Sequence, residues 1–370
     1  MPGIDSSGRR PALPLLARVA LVAAALVAAA FVQAALVHAA AAAEGPAPAP
    51  LFGEPPLSGG TVATDLFGAD GTFRAALIGD GGSRPADPFP RALVASIGTT
   101  CAEGPACDAA VLLGDNFYGL GVLGLAFPEG PMMRRRFHAR YAALGFPFFA
   151  VLGNHEYLSP APLASVRHAA RHPDGVPEWI QPLRYWAARD GDDLELLFLD
   201  TMALIGETPF IALRDRQLAW LRDHCASSPA PRRRIAFGHH PAITFGKYRD
   251  TPAELLSPET MEVLIACGVR HYASGHDHHL QRIDLTTPDG DVFHQVVSGK
   301  GGVVREPYPF ADEPTRANPL ARRWGGTSWL PTLATDHSGD LPTNAYVGWA
   351  DLVVTRDGAV SARLVRTEEP

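Results

Sequence analysis

Six short apolar runs recur along the chain, and each closes on polar residues: FRAALIGD (73–80), DAAVLLGD (108–115), FPFFAVLGN (146–154), LELLFLD (194–200), RRIAFGHH (233–240) and VRHYASGH (269–276). Continuous apolar runs of this length suit strands buried on both faces. Helical patterns lie between them, at PRALVASIG (90–98), MMRRRFHARYAAL (132–144), LRDRQLAWLRDHC (213–225) and SPETMEVLIACG (257–268). In the last of these Ser257 is placed to cap the helix, Glu259 follows in its first turn and Gly268 stops it. Strands alternating with helices predict a layered α/β fold. Ligands bind such sheets at the C-terminal ends of the strands, which is where every run places its polar residue. One Asp after a strand is a turn or cap residue. Six strand ends in succession bearing Asp, Asp, Asn, Asp, His and His point to a site, with Asp200 expected to hydrogen-bond structurally rather than to ligate.

The candidate donors are Asp80, Asp115, Tyr118, Asn154, His155, His239, His240, His276 and His278. Hard oxygen donors mixed with imidazoles suit iron, manganese or zinc, and the lack of thiolates argues against a structural zinc site. Two ions about 3.5–4 Å apart activate water and stabilise both the attacking and the leaving oxygen of an in-line displacement. Asp115 is the natural bridge between them. His276 and His278 stand two apart, so a turn aims them at different ions.

FRAALIGDGG, VLLGDNFYGLGV, FFAVLGNHEY, AFGHHPAIT and SGHDHHLQRI resemble the calcineurin-like metallophosphoesterases, and GDNFY is similar to the tartrate-resistant type of purple acid phosphatase. The resemblance runs over residues 73–302, including FLDT (198–201) and QLAWL (217–221), and AYVGWADLVV (345–354) looks like the closing strand. It implies a four-layer α/β/β/α sandwich with a binuclear centre at the C-terminal strand ends. By the same resemblance Asp80, Asp115, Tyr118 and His278 hold iron(III), and Asp115, Asn154, His239 and His276 hold a divalent iron, zinc or manganese. A metal-bound hydroxide attacks phosphorus, His155 protonates the leaving group or holds the phosphate, and His240 and Asn154 touch substrate. The function implied is hydrolysis of phosphomonoesters, on phosphorylated small molecules, by a chain expected to be a monomer. A phosphodiesterase or nucleotide hydrolase on the same site is the alternative, as is a non-catalytic exported binding protein, though that class usually sheds ligands. The chain departs from the family pattern at Gly81-Gly82, where a Trp is usual after the Asp, and at Glu156, where Asp is usual. Residues 303–344, with Trp324, Trp329 and His337, are a longer insertion that reads as a lid or as a surface loop.

The N-terminus reads as an address. Arg9, Arg10 and Arg18 precede an uncharged Ala-, Val- and Leu-rich stretch, residues 19–43. Residues 1–43 are therefore expected to be a signal peptide or, uncleaved, an N-terminal anchor. Residues 44–60 form a Pro/Gly-rich linker, and 61–370 the catalytic domain. Either way the domain is secreted, periplasmic or otherwise extracytoplasmic, and meets a membrane only through 19–43. The net charge is −7, the chain has only two lysines, Lys247 and Lys300, and its arginine triplets at 134–136 and 232–234 are isolated. This excludes a nucleic-acid partner. Export permits disulfides. Cys101 and Cys107 bracket a turn-rich loop and are expected to pair, whereas Cys225 and Cys267 read as buried small apolar residues, with a bridge the minority reading.

Overall fold

The computed structural model describes residues 59–82, 89–118, 133–158, 163–171, 178–227, 230–286, 291–302, 330–336 and 346–367, all within one compact unit spanning 49–370. Residues 1–43, expected to be an export segment, nearly all of 44–60, expected to be a linker, and Met132, His172, Trp324, Trp329 and His337 lie outside them. Two mixed sheets are built from the described residues. One runs in the order β14 (Val360–Thr367), β13 (Val347–Thr355), β2 (Thr72–Ile78), β3 (Ala109–Leu113), β4 (Phe148–Val151) and β5 (Trp179–Ile180). The other runs β1 (Thr61–Ala63), β6 (Trp186–Asp190), β7 (Leu194–Phe198), β8 (Arg233–Phe237), β9 (His271–Ser274), β11 (Val292–Ser298), β10 (Leu280–Thr286) and β12 (Leu330–Asp336). The six runs singled out above are β2, β3, β4, β7, β8 and β9. Within each sheet these strands are parallel where they pair, so their C-terminal ends share an edge.

Alternation along the strands sorts side chains into layers. Leu77, Val111, Leu113, Phe149, Phe198, Phe237 and Leu352 meet between the sheets. Ala76, Ile78, Ala110 and Leu112 face outward, against Leu93 and Ile97 of α1 (Phe89–Ala102) and against Phe137 and Tyr141, the latter on α2 (Ala139–Tyr141). On the opposite flank, α5 (Ile211–Ser227) and α6 (Pro258–Ala266) cover Leu199, Ala236 and Tyr272 with Leu218, Leu221, Met261 and Leu264. Two sheets between two helical layers make the α/β/β/α sandwich. Among the described residues the remaining α-helices are α3 (Asn154–Tyr157) and α4 (Ala164–Arg171).

Two local expectations are corrected. The pattern at 132–144 predicts one regular helix, but Arg134–His138 form a π-helical turn before α2. Arg136 in that turn donates to the Tyr118 carbonyl at 2.8 Å and Arg140 on α2 donates to the Gly81 carbonyl, binding the segment to the strand ends. Cys225 and Cys267 are not free apolar residues but a disulfide, joining the ends of α5 and α6; Cys101–Cys107 is bridged as expected. Within the insertion, Leu330–Asp336 is strand β12 on β10, an edge of the sheet. The Ser257 cap of α6 is present, accepting from the Thr260 N–H at 3.2 Å. Two disulfides suit an oxidising compartment, and among the described residues no helix is long and apolar enough to cross a membrane.

Candidate metal centre

The strand ends turn sharply. Asp80, Asp115 and His276 all sit in the left-handed region, at φ 60°, 53° and 67°, which non-glycine residues adopt at a cost and mostly at functional sites. Neighbouring glycines make room. A Cβ on Gly153 would lie 2.2 Å from the Asp115 nitrogen, and one on Gly275 would lie 2.6 Å from Asp80 Oδ2. This is the physical content of the glycines in GNHE and GHDH.

The structure gathers the predicted donors into two groups. In the first, Tyr118 Oη is 3.0 Å from Asp80 Oδ1 and 3.1 Å from His278 Nε2, which is 3.3 Å from that same Asp80 oxygen. In the second, His239 Nε2 is 2.9 Å from Asn154 Oδ1 and 3.2 Å from His276 Nδ1. Asp115 adjoins both: Oδ1 is 3.4 Å from His239 Nε2, and the donor atoms of Asp80, Asp115 and His239 lie within 4.8 Å of one another. His276 and His278 thus fall in different groups, as their spacing implied.

Hydrogen bonds set the donors' chemistry. His239 Nδ1 sits 2.8 Å from the Leu113 carbonyl. A carbonyl only accepts, so the proton is on Nδ1 and the Nε2 lone pair is free to ligate. Thr201 Oγ1 accepts the backbone N–H of both His239 (3.1 Å) and His240 (3.0 Å), so its own hydroxyl donates to His240 Nδ1 at 2.9 Å. That leaves Nε2–H on His240, a donor rather than a metal ligand, although its ring adjoins His239 and His276. His240 is fully buried, and Nε2 makes no hydrogen bond. His155 is the accessible member. Its side chain is 27% exposed, Nε2 lies 3.7 Å from Asp115 Oδ2, and its ring meets Tyr118 edge-on at 4.5 Å.

Burial dominates the electrostatics. It raises the Asp115 carboxyl, helped by the charge on Asp80. It would raise Asp80 too, but the hydrogen bond and charge of His278 prevail and hold that group low. Burial pulls His240 and His276 well below the ordinary imidazole value and lowers His155. His239 moves the other way, because Asp115 and Asp80 outweigh its burial. No lysine or arginine among the described residues forms an ion pair with Asp80 or Asp115. Two buried carboxylates with no described lysine or arginine beside them make a donor set that a cation satisfies.

Several supporting residues escape the sequence reading. Asp277 accepts from the Thr244 hydroxyl at 2.6 Å and the Lys247 N–H at 3.2 Å, tying 244–248 to the site. Tyr248 stacks on His276 at 4.2 Å, and Glu254 contacts it at 3.2 Å. Tyr248 and Glu254 carry no local signal, since they stand in a loop with no motif. Asp200 is structural, as expected: it accepts from the Tyr157 hydroxyl and is clamped by Gln217 at 3.0 and 2.9 Å, fixing the end of α3. His224 pairs with Glu195, and His271 stacks on His294, away from the centre.

The family pattern described as calcineurin-like phosphoesterase matches residues 73–280, more than half of the chain. Among curated relatives, the rabbit (Oryctolagus cuniculus) tartrate-resistant acid phosphatase type 5 is 27% identical over 251 residues, covering 63% of this chain and 74% of the rabbit protein. The human (Homo sapiens) protein of the same name is 26% identical over 250 residues, covering 63% and 74%. Among solved structures, GAP50, the anchor in the inner membrane complex of Plasmodium, superposes with a TM-score of 0.57 at 17% identity, over 80% of this chain and 85% of that one, a likeness of fold.

Proposed function

Because the chain belongs to the calcineurin-like phosphoesterase family, we propose that it is an exported phosphatase that hydrolyses phosphomonoesters with two metal ions. The observation that carries this is the pair of donor groups flanking Asp115. In this reading Asp80, Asp115, Tyr118 and His278 hold iron(III), and Asp115, Asn154, His239 and His276 hold a divalent iron, zinc or manganese. The donors fit: oxygen and imidazole without thiolate, buried carboxylates that no described lysine or arginine pairs with, and a His239 tautomer that frees Nε2. When bound, the ions neutralise phosphoryl charge and lower the pKa of a coordinated water.

The remaining work belongs to the chain. His155, at the accessible mouth, gives the proton on Nε2 to the leaving-group oxygen, while Asp115 and the edge of Tyr118 keep its ring in place. Asn154 commits Oδ1 to the second group and has Nδ2 to offer a phosphoryl oxygen. His240 Nε2–H is a further donor. The tartrate-resistant acid phosphatases among the relatives support the monoester class. The N-terminal stretch 1–43 and the two disulfides support export.

The test is elemental analysis of the purified chain, followed by hydrolysis of p-nitrophenyl phosphate and of bis(p-nitrophenyl) phosphate. Two ions per chain, one of them iron, with faster turnover of the monoester is the expected result. Faster turnover of the diester favours the phosphodiesterase reading. Two ions without hydrolysis of either compound favours a binding protein, and fewer than two ions after reconstitution overturns the centre itself. Iron beside Tyr118 also gives a visible absorption band that Tyr118→Phe removes.

A further inference from the structure

The two ring nitrogens of His276 face different surroundings. Nδ1 belongs to the second donor group, 3.2 Å from His239 Nε2. Nε2 lies 3.2 Å from Glu254 Oε2, at ion-pair distance though without hydrogen-bond alignment. An imidazole that gives one nitrogen to a metal keeps its proton on the other. On a ring only 4% exposed that N–H needs an acceptor, because an unmet buried donor is costly. Carboxylates commonly take this place behind metal-bound histidines, fixing tautomer and ring orientation.

Glu254 is held where it can do so. It ends the 3₁₀ turn Pro252–Glu254, whose flanks are fastened by Leu256 N–H to the Pro241 carbonyl at 3.0 Å and Gly206 N–H to the Leu255 carbonyl at 2.9 Å. Tyr248, from the same segment, lies flat on the His276 ring at 4.2 Å and 14°, which restricts its rotation.

We infer that Glu254 is a positioning residue for the second metal: its carboxylate receives Nε2–H of His276 and so presents Nδ1 to the ion. The inference rests on the two-metal reading above. It bears on the second ion, because the imidazole that Glu254 faces stands in the second donor group, with Nδ1 3.2 Å from His239 Nε2.

The test is titration of the metal-free full-length chain with zinc(II) by calorimetry, with metal content measured after dialysis, for wild type, Glu254→Ala and Glu254→Gln. Asp250→Ala, an exposed acidic residue of the same segment, controls for charge alone. Glu254→Ala is expected to weaken one of two zinc sites by about 10–100-fold and to leave the other unchanged. Glu254→Gln, whose amide oxygen still accepts a hydrogen bond, is expected to recover part of the loss, and Asp250→Ala to bind as wild type. Two wild-type-like sites in Glu254→Ala overturn the inference alone. If that variant does not fold, losses of equal size in Glu254→Gln and Asp250→Ala overturn it, because the effect is then one of charge alone. Fewer than two sites in wild type overturns the inference and the two-metal reading together.

Discussion

Glu156 accepts the backbone N–H of Asp115 at 3.1 Å, across 41 residues of chain, and with its other oxygen the N–H of Phe117 at 3.1 Å. It also closes on Gly153 N–H at 2.7 Å, at the start of α3. One buried carboxylate therefore locks the strand end that carries Asp115 to the helix that carries Asn154 and His155. Glu156→Ala would strand three buried N–H groups. A loss of about 2–4 kcal/mol is expected, read by denaturant melts, together with weaker metal retention. Unchanged stability would show that water satisfies those groups.

Asp115→Ala removes a carboxylate that adjoins both donor groups. Both ions are expected to leave together, with hydrolysis, as read by metal content after dialysis. Loss of a single ion would mean that Asp115 serves one group only.

His155→Ala leaves the backbone N–H of residue 155 to donate to Asp115 Oδ1, a 2.8 Å bond in the wild type, so α3 and the donor groups persist. Metal content is expected to stay at the wild-type level while kcat falls by about 10²–10⁴-fold, the usual worth of a positioned proton donor. A loss of metal instead would make His155 a ligand.

The Cys225–Cys267 disulfide closes a span of 42 residues and Cys101–Cys107 one of 6. Chain-entropy arguments make the longer loop the stronger restraint, at about 4 kcal/mol against about 2 kcal/mol. Cys225→Ser/Cys267→Ser is thus expected to lower the melting temperature more than Cys101→Ser/Cys107→Ser. Equal effects would place the stabilisation in packing rather than in loop closure.

Those two bridges show what was legible in the sequence. Cys101 and Cys107 are near neighbours around a turn, so local sequence announces the pair. Cys225 and Cys267 end separate helices, and only the docking of α5 beside α6 brings them together. The strands were legible because parallel strands buried on both faces read as unbroken apolar runs. The predicted donors were legible because strand ends collect them on one edge. Tyr248 and Glu254 were not, because they reach His276 from a loop whose path depends on Asp277 and on contacts with Pro241 and Gly206. The π turn at Arg134–His138 was also hidden, since the residues RRRFH carry no signal that separates it from a regular helix, and its bonds go to carbonyls distant in sequence, Tyr118 from Arg136 and, just beyond the turn, Gly81 from Arg140.

Arg74 and Asp351 pair at the far side of the same sheet, Nε to Oδ1 and Nη2 to Oδ2 both at 2.9 Å, each residue about 5% exposed or less. Burial alone would raise the Asp351 carboxyl, but its hydrogen bonds to Arg74 and Arg363 and their charges hold it below the ordinary value. A depressed folded-state pKa contributes stability that is present above the unfolded value, about 3.9, and is lost as pH falls through the folded value. Asp351→Asn would leave the Arg74 guanidinium buried without its counter-charge, costing about 3–5 kcal/mol near neutral pH. The difference between wild type and Asp351→Asn is expected to shrink steadily below about pH 4 as the wild-type carboxylate takes up a proton. Urea melts of both proteins from pH 7 to pH 3 measure it. A gap that stays constant over that range would place the worth of Asp351 in shape and hydrogen bonding rather than in its charge.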